Sequence, residues 1–204
     1  MIRTARALVV DLGGVACRWL PERRLAALAA RSGLPAETVD QLVFGSGFDD
    51  AGERGRFTLF TFTAELAELL GLTLDDDTIA GLRADWALAY EPDPAVLKVV
   101  DQAATRTALL TNNGPLLEEA LRHELAEVGG TFDELLLSWR LEATKPDPAA
   151  FAAAAAVLDL TPDQLFLVDD DPANVEAALA AEWHAHRYTD TINLRLALAR
   201  AGIN

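Results

Sequence analysis

Short apolar runs alternate along the chain with longer stretches in which apolar residues return every three or four positions. Five runs read as strands: "ALVVD" (7–11), "TALLT" (107–111), "ELLLSW" (134–139), "QLFLVD" (164–169) and "HAHRY" (184–188). The first four are near-continuous in apolar residues, as strands buried on both faces of a parallel sheet are, and the helical patterns between them supply the crossovers. Asp93-Pro94, Asp147-Pro148 and Asp171-Pro172 each offer an N-cap acceptor followed by proline at the first helical position, so helices are predicted to start there. The pattern as a whole predicts an α/β fold with a parallel sheet.

Between Val15 and about Tyr90 the helical period takes over, in "PERRLAALAARSGL", "TAELAELLGL" and "DDTIAGLRADWALAY". This stretch predicts a helical insertion after the first strand. Inside it, "FGSGFDDAGERGRFTLFTF" carries four glycines and mixed charge and reads as a turn region joining two helices. The acidic "TLDDDT" (73–78) reads as a solvated helix start, where carboxylates offset the positive end of the helix dipole.

A chain of 204 residues, 51% of them hydrophobic, can bury a substantial core: one α/β domain, or a core with a modest insertion. Lys and Arg total 17 against 32 Asp and Glu, and the formal charge of −15 disfavours nucleic acid or an anionic membrane as a partner. An anionic substrate would need local help from a metal or a lysine. Cys17 has no second cysteine to pair with, and no apolar stretch reaches the roughly 20 residues of a membrane span, since "AAFAAAAAVLDL" is broken by Asp159. The N-terminal "MIRTARALVVDL" has no signal-peptide pattern, and a cytoplasmic location is expected.

Ligands of open parallel sheets collect outside the carboxyl ends of the strands. The polar residues there are Asp11, then Thr111-Asn112-Asn113, then Asp169-Asp170-Asp171, with Lys145 in the loop "LEATKPDP" after the third strand. Carboxylates gathered from different strands repel unless a hard cation such as Mg²⁺ lies among them. Beside that cation, an ionised Asp can attack phosphorus while Lys and Thr stabilise charge on the transferring group.

The four segments "VVDLGGV", "LLTNN", "TKPDPAAF" and "FLVDDDPANVEAA", in this order and spanning nearly the whole chain, resemble the ordered motifs of the haloacid dehalogenase (HAD) superfamily. The resemblance implies a Rossmann-like parallel-sheet core (residues 1–15 and 91–204) with an inserted helical C1 cap (16–90). "FDDAGERGRFTLFTF" is similar to the cap segment of the branch that includes glucose-1-phosphate phosphatases and the phosphatase domain of soluble epoxide hydrolases. By position, the resemblance implies Asp11 as nucleophile and Mg²⁺ ligand, the Gly13 carbonyl and Asp170 as further ligands, and Asp169 orienting a metal-bound water. It implies Thr111 and Asn112 on the phosphoryl oxygens, Lys145 bridging Asp11 and phosphate, and Asn174 closing the last motif; Asp171 reads as a helix N-cap.

One position departs from the family pattern. Most phosphatases of the family carry a second aspartate two residues after the nucleophile, as general acid and base, and this chain has Gly13 there. Three readings follow: a Mg²⁺-dependent phosphatase of a small phosphorylated metabolite, slow or borrowing an acid from Asp49, Asp50 or Glu53; a non-enzymatic binding or regulatory protein; or a 2-haloacid dehalogenase. Dehalogenases of the family also lack the second aspartate, but they do not keep the paired acids found here at Asp169-Asp170. His123, His184 and His186 do not form a metal site by spacing, and of the four tryptophans Trp19 is the one near the site.

Overall fold

The computed structural model describes residues 5–203. Five parallel strands form the sheet: β1 (Ala7–Val10), β4 (Arg106–Thr111), β5 (Glu134–Leu137), β6 (Leu165–Asp169) and β7 (His184–Arg187), in the spatial order β5-β4-β1-β6-β7. Side chains alternate across a strand, and they do so here to fill two separate layers. Ala7, Val9, Ala108, Leu110, Leu165 and Leu167 pack on one face against Phe151, Ala154 and Trp183. Leu8, Val10, Leu109, Phe166 and Val168 pack on the other, in a cluster continuous with Leu97, Leu116 and Leu194.

The helices that cover these faces begin where the Asp-Pro pairs predicted. Asp93, Asp147 and Asp171 accept hydrogen bonds from the first-turn N–H groups of α6 (Pro94–Asp101), α10 (Pro148–Leu158) and α11 (Pro172–Ala180). Helices α7 (Pro115–Arg122), α8 (Ala126–Gly129) and α12 (Thr191–Ala201) complete the layers. The third predicted strand is shorter than its apolar run: it stops at Leu137, and Ser138 opens the short helix α9 (Ser138–Leu141).

Between β1 and α6 lie α1 (Pro21–Ser32), α2 (Ala36–Asp40), α3 (Phe48–Glu53), α4 (Leu59–Leu69) and α5 (Asp76–Ala87). Two features here depart from the sequence reading. The segment leaves and returns through a two-stranded antiparallel ribbon, β2 (Cys17–Trp19) on β3 (Tyr90–Pro92), whose three-residue strands are too short to show a period. The glycine-rich 44–62 stretch holds the end of a π-helical turn (Gln41–Gly45), all of α3 and the start of α4, so it is largely helical. One of its glycines serves close approach: a Cβ on Gly52 would collide with the Phe62 ring, and its absence lets that ring pack against the α3 backbone. Asp75 caps α5 by accepting from the Thr78 N–H, as the acidic run predicted.

Phe62 centres this segment, stacked on Phe48 at 4.6 Å between centroids and edge-on to Trp86 at 5.5 Å. The cluster runs without a break into Leu116, Leu117 and Leu121 of α7, so the inserted helices share the core of the sheet domain. Removing a fully buried aromatic ring leaves a cavity as well as losing transfer free energy. Phe62→Ala should therefore cost about 3–5 kcal/mol in urea unfolding; a loss under about 1 kcal/mol would show that the inserted helices are not part of the cooperative unit.

Candidate active site

The β1–β4 and β1–β6 registers pair Val10 with Leu109 and with Val168. Asp11 and Asp169, the next residues after Val10 and Val168, therefore emerge at one level at the carboxyl edge, and Thr111 of β4 emerges one residue further along. The backbone N–H of Asp11 still donates to the Val168 carbonyl, at 2.9 Å, so its carboxylate is anchored by the sheet itself.

Lys145 arrives from the loop after α9. Its ammonium donates to Asp11 Oδ1 at 2.7 Å and to Asp169 Oδ2 at 2.6 Å, with all three side chains buried. Burial alone would depress the lysine's pKa, but the two carboxylates outweigh it and hold the group charged. Burial pushes Asp11 up to about 6 against the pull of Lys145, with Asp169 adding to the rise. Asp169 is further held by the Asn174 amide and by the Asp171 N–H at 3.0 Å, so both of its oxygens are engaged.

Asp170 is exposed and turned toward the same place. Oxygens of Asp11, Asp169 and Asp170 lie within 4.8 Å of one another. Gly14 makes this possible: its φ is +89°, and a Cβ there would overlap the Asp170 carboxylate. Burial and the neighbouring Asp169 both raise the Asp170 pKa. Three carboxylates meeting at a cradle that only glycine leaves open form the oxygen-rich donor set of a hard divalent cation.

The remaining predicted residues take more specific places than their spacing suggested. Asn112 commits its side chain to the Lys145 backbone, donating to its carbonyl and accepting from its N–H, each at 2.8 Å. Thr111 Oγ1 accepts from the Asn113 amide at 2.8 Å, which leaves its own proton free to donate toward the cavity. Asn174 reaches Asp169, and Asp171 caps α11 as its Asp-Pro pair predicted. The three candidate acids separate: Asp49 and Glu53, four apart on α3, line the cavity, whereas Asp50 is exposed and paired with Arg54.

Residues that sequence reasoning passed over complete the cavity of about 610 Å³. Asn113 accepts from the Tyr90 hydroxyl at 2.7 Å, and its N–H donates to Ser138 Oγ at 2.9 Å. Ser138 in turn donates to the Glu53 carbonyl at 2.8 Å, tying α3 to the end of β5. Arg24 and Tyr90 also line the cavity. Only Asn113 had a signal, as the second asparagine of "LLTNN". Cys17, the buried first residue of β2, has its thiol pushed up to about 12 by burial and by Asp11, which disfavours the reactive thiolate.

A buried acid–lysine–acid bridge at the carboxyl edge of a parallel sheet, with a third carboxylate beside it, defines the class: an α/β fold with a carboxylate site for a divalent cation. A model of the haloacid dehalogenase-like hydrolases matches residues 6–182, and the chain belongs to that family. Its fold is similar to a predicted HAD-like hydrolase of Porphyromonas gingivalis, at TM-score 0.75 and 21% identity over 97% of this chain and 98% of that one. It is also similar to a HAD family enzyme of Bacteroides thetaiotaomicron crystallised with magnesium and inorganic phosphate (TM-score 0.74, 19% identity, 91% of this chain and 94% of that one). The L-2-haloacid dehalogenase of Xanthobacter autotrophicus is similar at TM-score 0.61 and 21% identity, over 96% of this chain and 81% of that one. No curated protein sequence matches it. Among the described residues no helix is long and apolar enough to cross a membrane.

The cavity acids make stability depend on pH. Burial raises Glu53 to about 8, with Asp49 and Asp50 adding to it. The folded protein therefore binds this proton more tightly than the unfolded chain, and the stability it contributes is lost as pH rises from about 4.5 through 8. Glu53→Gln should match wild type in melting temperature at pH 5 and exceed it at pH 9, measured in chelator. A difference that does not grow with pH would remove Glu53 from the buried side of the cavity.

Proposed function

We propose that the chain is a Mg²⁺-dependent phosphohydrolase of a small phosphorylated metabolite, with residues 16–90 as a cap over a core formed by 1–15 and 91–204. The observation that carries this reading is the Lys145 ammonium shared between Asp11 and Asp169 at the floor of a cavity, with Asp170 free beside it. Asp11, Asp170 and the Gly13 carbonyl would hold the ion, with Asp169 orienting its water. When bound, Mg²⁺ supplies positive charge to the phosphoryl oxygens.

The chain's own residues do the rest. Asp11 attacks phosphorus, forming an aspartyl-phosphate as the bond to the leaving oxygen breaks. Lys145 and the Thr111 hydroxyl donate to the phosphoryl oxygens, while Asn112 acts through its side chain by fixing the Lys145 loop. A proton must reach the leaving oxygen, and Gly13 cannot give it. Glu53 is suited to that role, because Ser138 pins its backbone beside Asn113, it faces the cavity, and its raised pKa keeps it protonated at neutral pH. Asp49, raised only to about 6, is largely ionised there. Glu53, once deprotonated, can take a proton from the water that hydrolyses the aspartyl-phosphate.

The likeness to a dehalogenase is one of fold, and three converging carboxylates support a cation-assisted reaction over that chemistry. Asp11→Asn should abolish release of phosphate from aryl and alkyl phosphates alike; turnover equal to wild type would exclude Asp11 as nucleophile. Glu53→Gln should lower kcat on alkyl phosphates about 10²-fold and on aryl phosphates far less, because aryl leaving groups need little protonation. Wild-type activity on alkyl phosphates should also fall above about pH 8 as Glu53 ionises; an equal loss on both ester classes, or none, would exclude Glu53 as the acid.

A further inference from the structure

Arg24 stands apart from the other cations of the inserted helices. Its neighbour Arg23 pairs with Glu91 at the surface, as does Arg18, and Arg31 pairs with Asp85. Arg24 is 2% exposed, and among the described residues it makes no direct ion-pair contact, its charge acting only at longer range on Asp49 and Glu53. Its guanidinium carbon lies 4.3 Å from the Trp86 ring centroid, 5.0 Å from Trp19, 5.6 Å from Tyr90 and 5.8 Å from Phe44. Four ring faces stabilise the charge, but they do not satisfy its directional N–H donors. Nε and Nη2 are left with no hydrogen-bond partner.

A buried cation with unmade hydrogen bonds is costly, and it has bonding capacity in reserve for a ligand. Arg24 lines the cavity that also holds Asp11, Thr111 and Lys145, so the cavity has one buried cation at its floor and a second on its cap side. A phosphoryl group on the floor would leave Arg24 facing the alcohol portion of the ester. The guanidinium fork matches a flat, two-oxygen anion, and the acids lining the same wall, Asp49 and Glu53 together with Glu22 and Asp40, disfavour a second dianion there.

We propose that Arg24 binds a carboxylate on the alcohol portion of the phosphate ester, so that the substrates of this site are phosphorylated hydroxy acids. The proposal rests on the phosphatase reading for the phosphoryl end alone. It makes Arg24 the residue that selects among phosphate esters, by supplying an acceptor for donors that nothing else in the cavity satisfies.

The test is calorimetric binding of 3-phosphoglycerate and of glycerol 3-phosphate, which differ in carboxylate against hydroxymethyl, to the full chain carrying Asp11→Asn, with Mg²⁺ present. The expected result is at least tenfold tighter binding of phosphoglycerate, with that ratio collapsing toward one on adding Arg24→Met and partly restored by Arg24→Lys. Should the methionine variant fail to fold, Arg24→Gln keeps polarity without charge and should show the same collapse. Equal affinities in the parent, or a preference that survives in a folded Arg24→Met or Arg24→Gln variant, would overturn the proposal. Phosphate release by the wild type from both esters is measured alongside. An Arg24-dependent preference without any release would sustain the carboxylate site and sink the phosphatase reading; release from both esters with equal binding would do the reverse.

Discussion

Everything at the carboxyl edge of the sheet is arranged around one buried ammonium. Lys145 holds Asp11 and Asp169 at 2.7 and 2.6 Å, and each of the three is tolerable in the interior only because the others are there. Losing the lysine would leave two buried carboxylates to repel; losing either carboxylate would unbalance the cation. The support extends outward from the bridge. Asn112 clamps the Lys145 backbone, Asn174 and the Asp171 N–H fix Asp169, and the ladder bond from the Asp11 N–H fixes the nucleophile candidate. The site is thus preorganised by the ends of β1, β4 and β6, with only Asp170 of the three carboxylates left exposed beside it.

The same arrangement of charge runs through the cavity. A chain of net charge −15 places two buried cations in it, one paired and one unpaired. The paired one keeps the floor coherent before any ligand arrives. The unpaired one is held by aromatic faces, which stabilise a guanidinium without neutralising it. An ion pair at that position would have used up the charge; a ring of Trp19, Phe44, Trp86 and Tyr90 preserves it.

How much of this could be read from the sequence depends on range. Strand-end residues were legible because each polar residue follows an apolar run and the sheet's parallel order puts such ends together, as for Asp11, Thr111, Asn112, Asp169 and Asp170; Lys145 was legible as a loop residue beside those ends, and Asn174, on α11, only through the family resemblance. The Asp-Pro helix starts were legible because a cap is decided within four residues. Helix α3 was hidden by the glycines in and around it, of which Gly52 makes room for Phe62, a partner ten residues on. Ser138 and Tyr90 act through bonds to residues 85 and 23 positions away, and no local pattern marks such a bond. Arg24 was hidden by its setting, since in "PERRLAALAARS" it looks like one more solvated charge on an amphipathic helix.

Gly13 gains a physical context from the ribbon. Its backbone is not in the left-handed region, so conformation does not demand glycine, in contrast to Gly14. A Cβ built there would meet Trp19 at 3.6 Å and Tyr90 at 3.7 Å, ordinary contacts, with those two rings 4.9 Å apart between centroids. A carboxyl extended from this position would therefore leave water for the edge of an aromatic pair that already carries Arg24. The space beside the nucleophile is walled by the stem of the inserted helices, and α3 brings Asp49 and Glu53 to the cavity. On the proposed reading the proton donor has been moved from the end of β1 to the cap, and the aromatic pair that lies against position 13 also holds Arg24 in place.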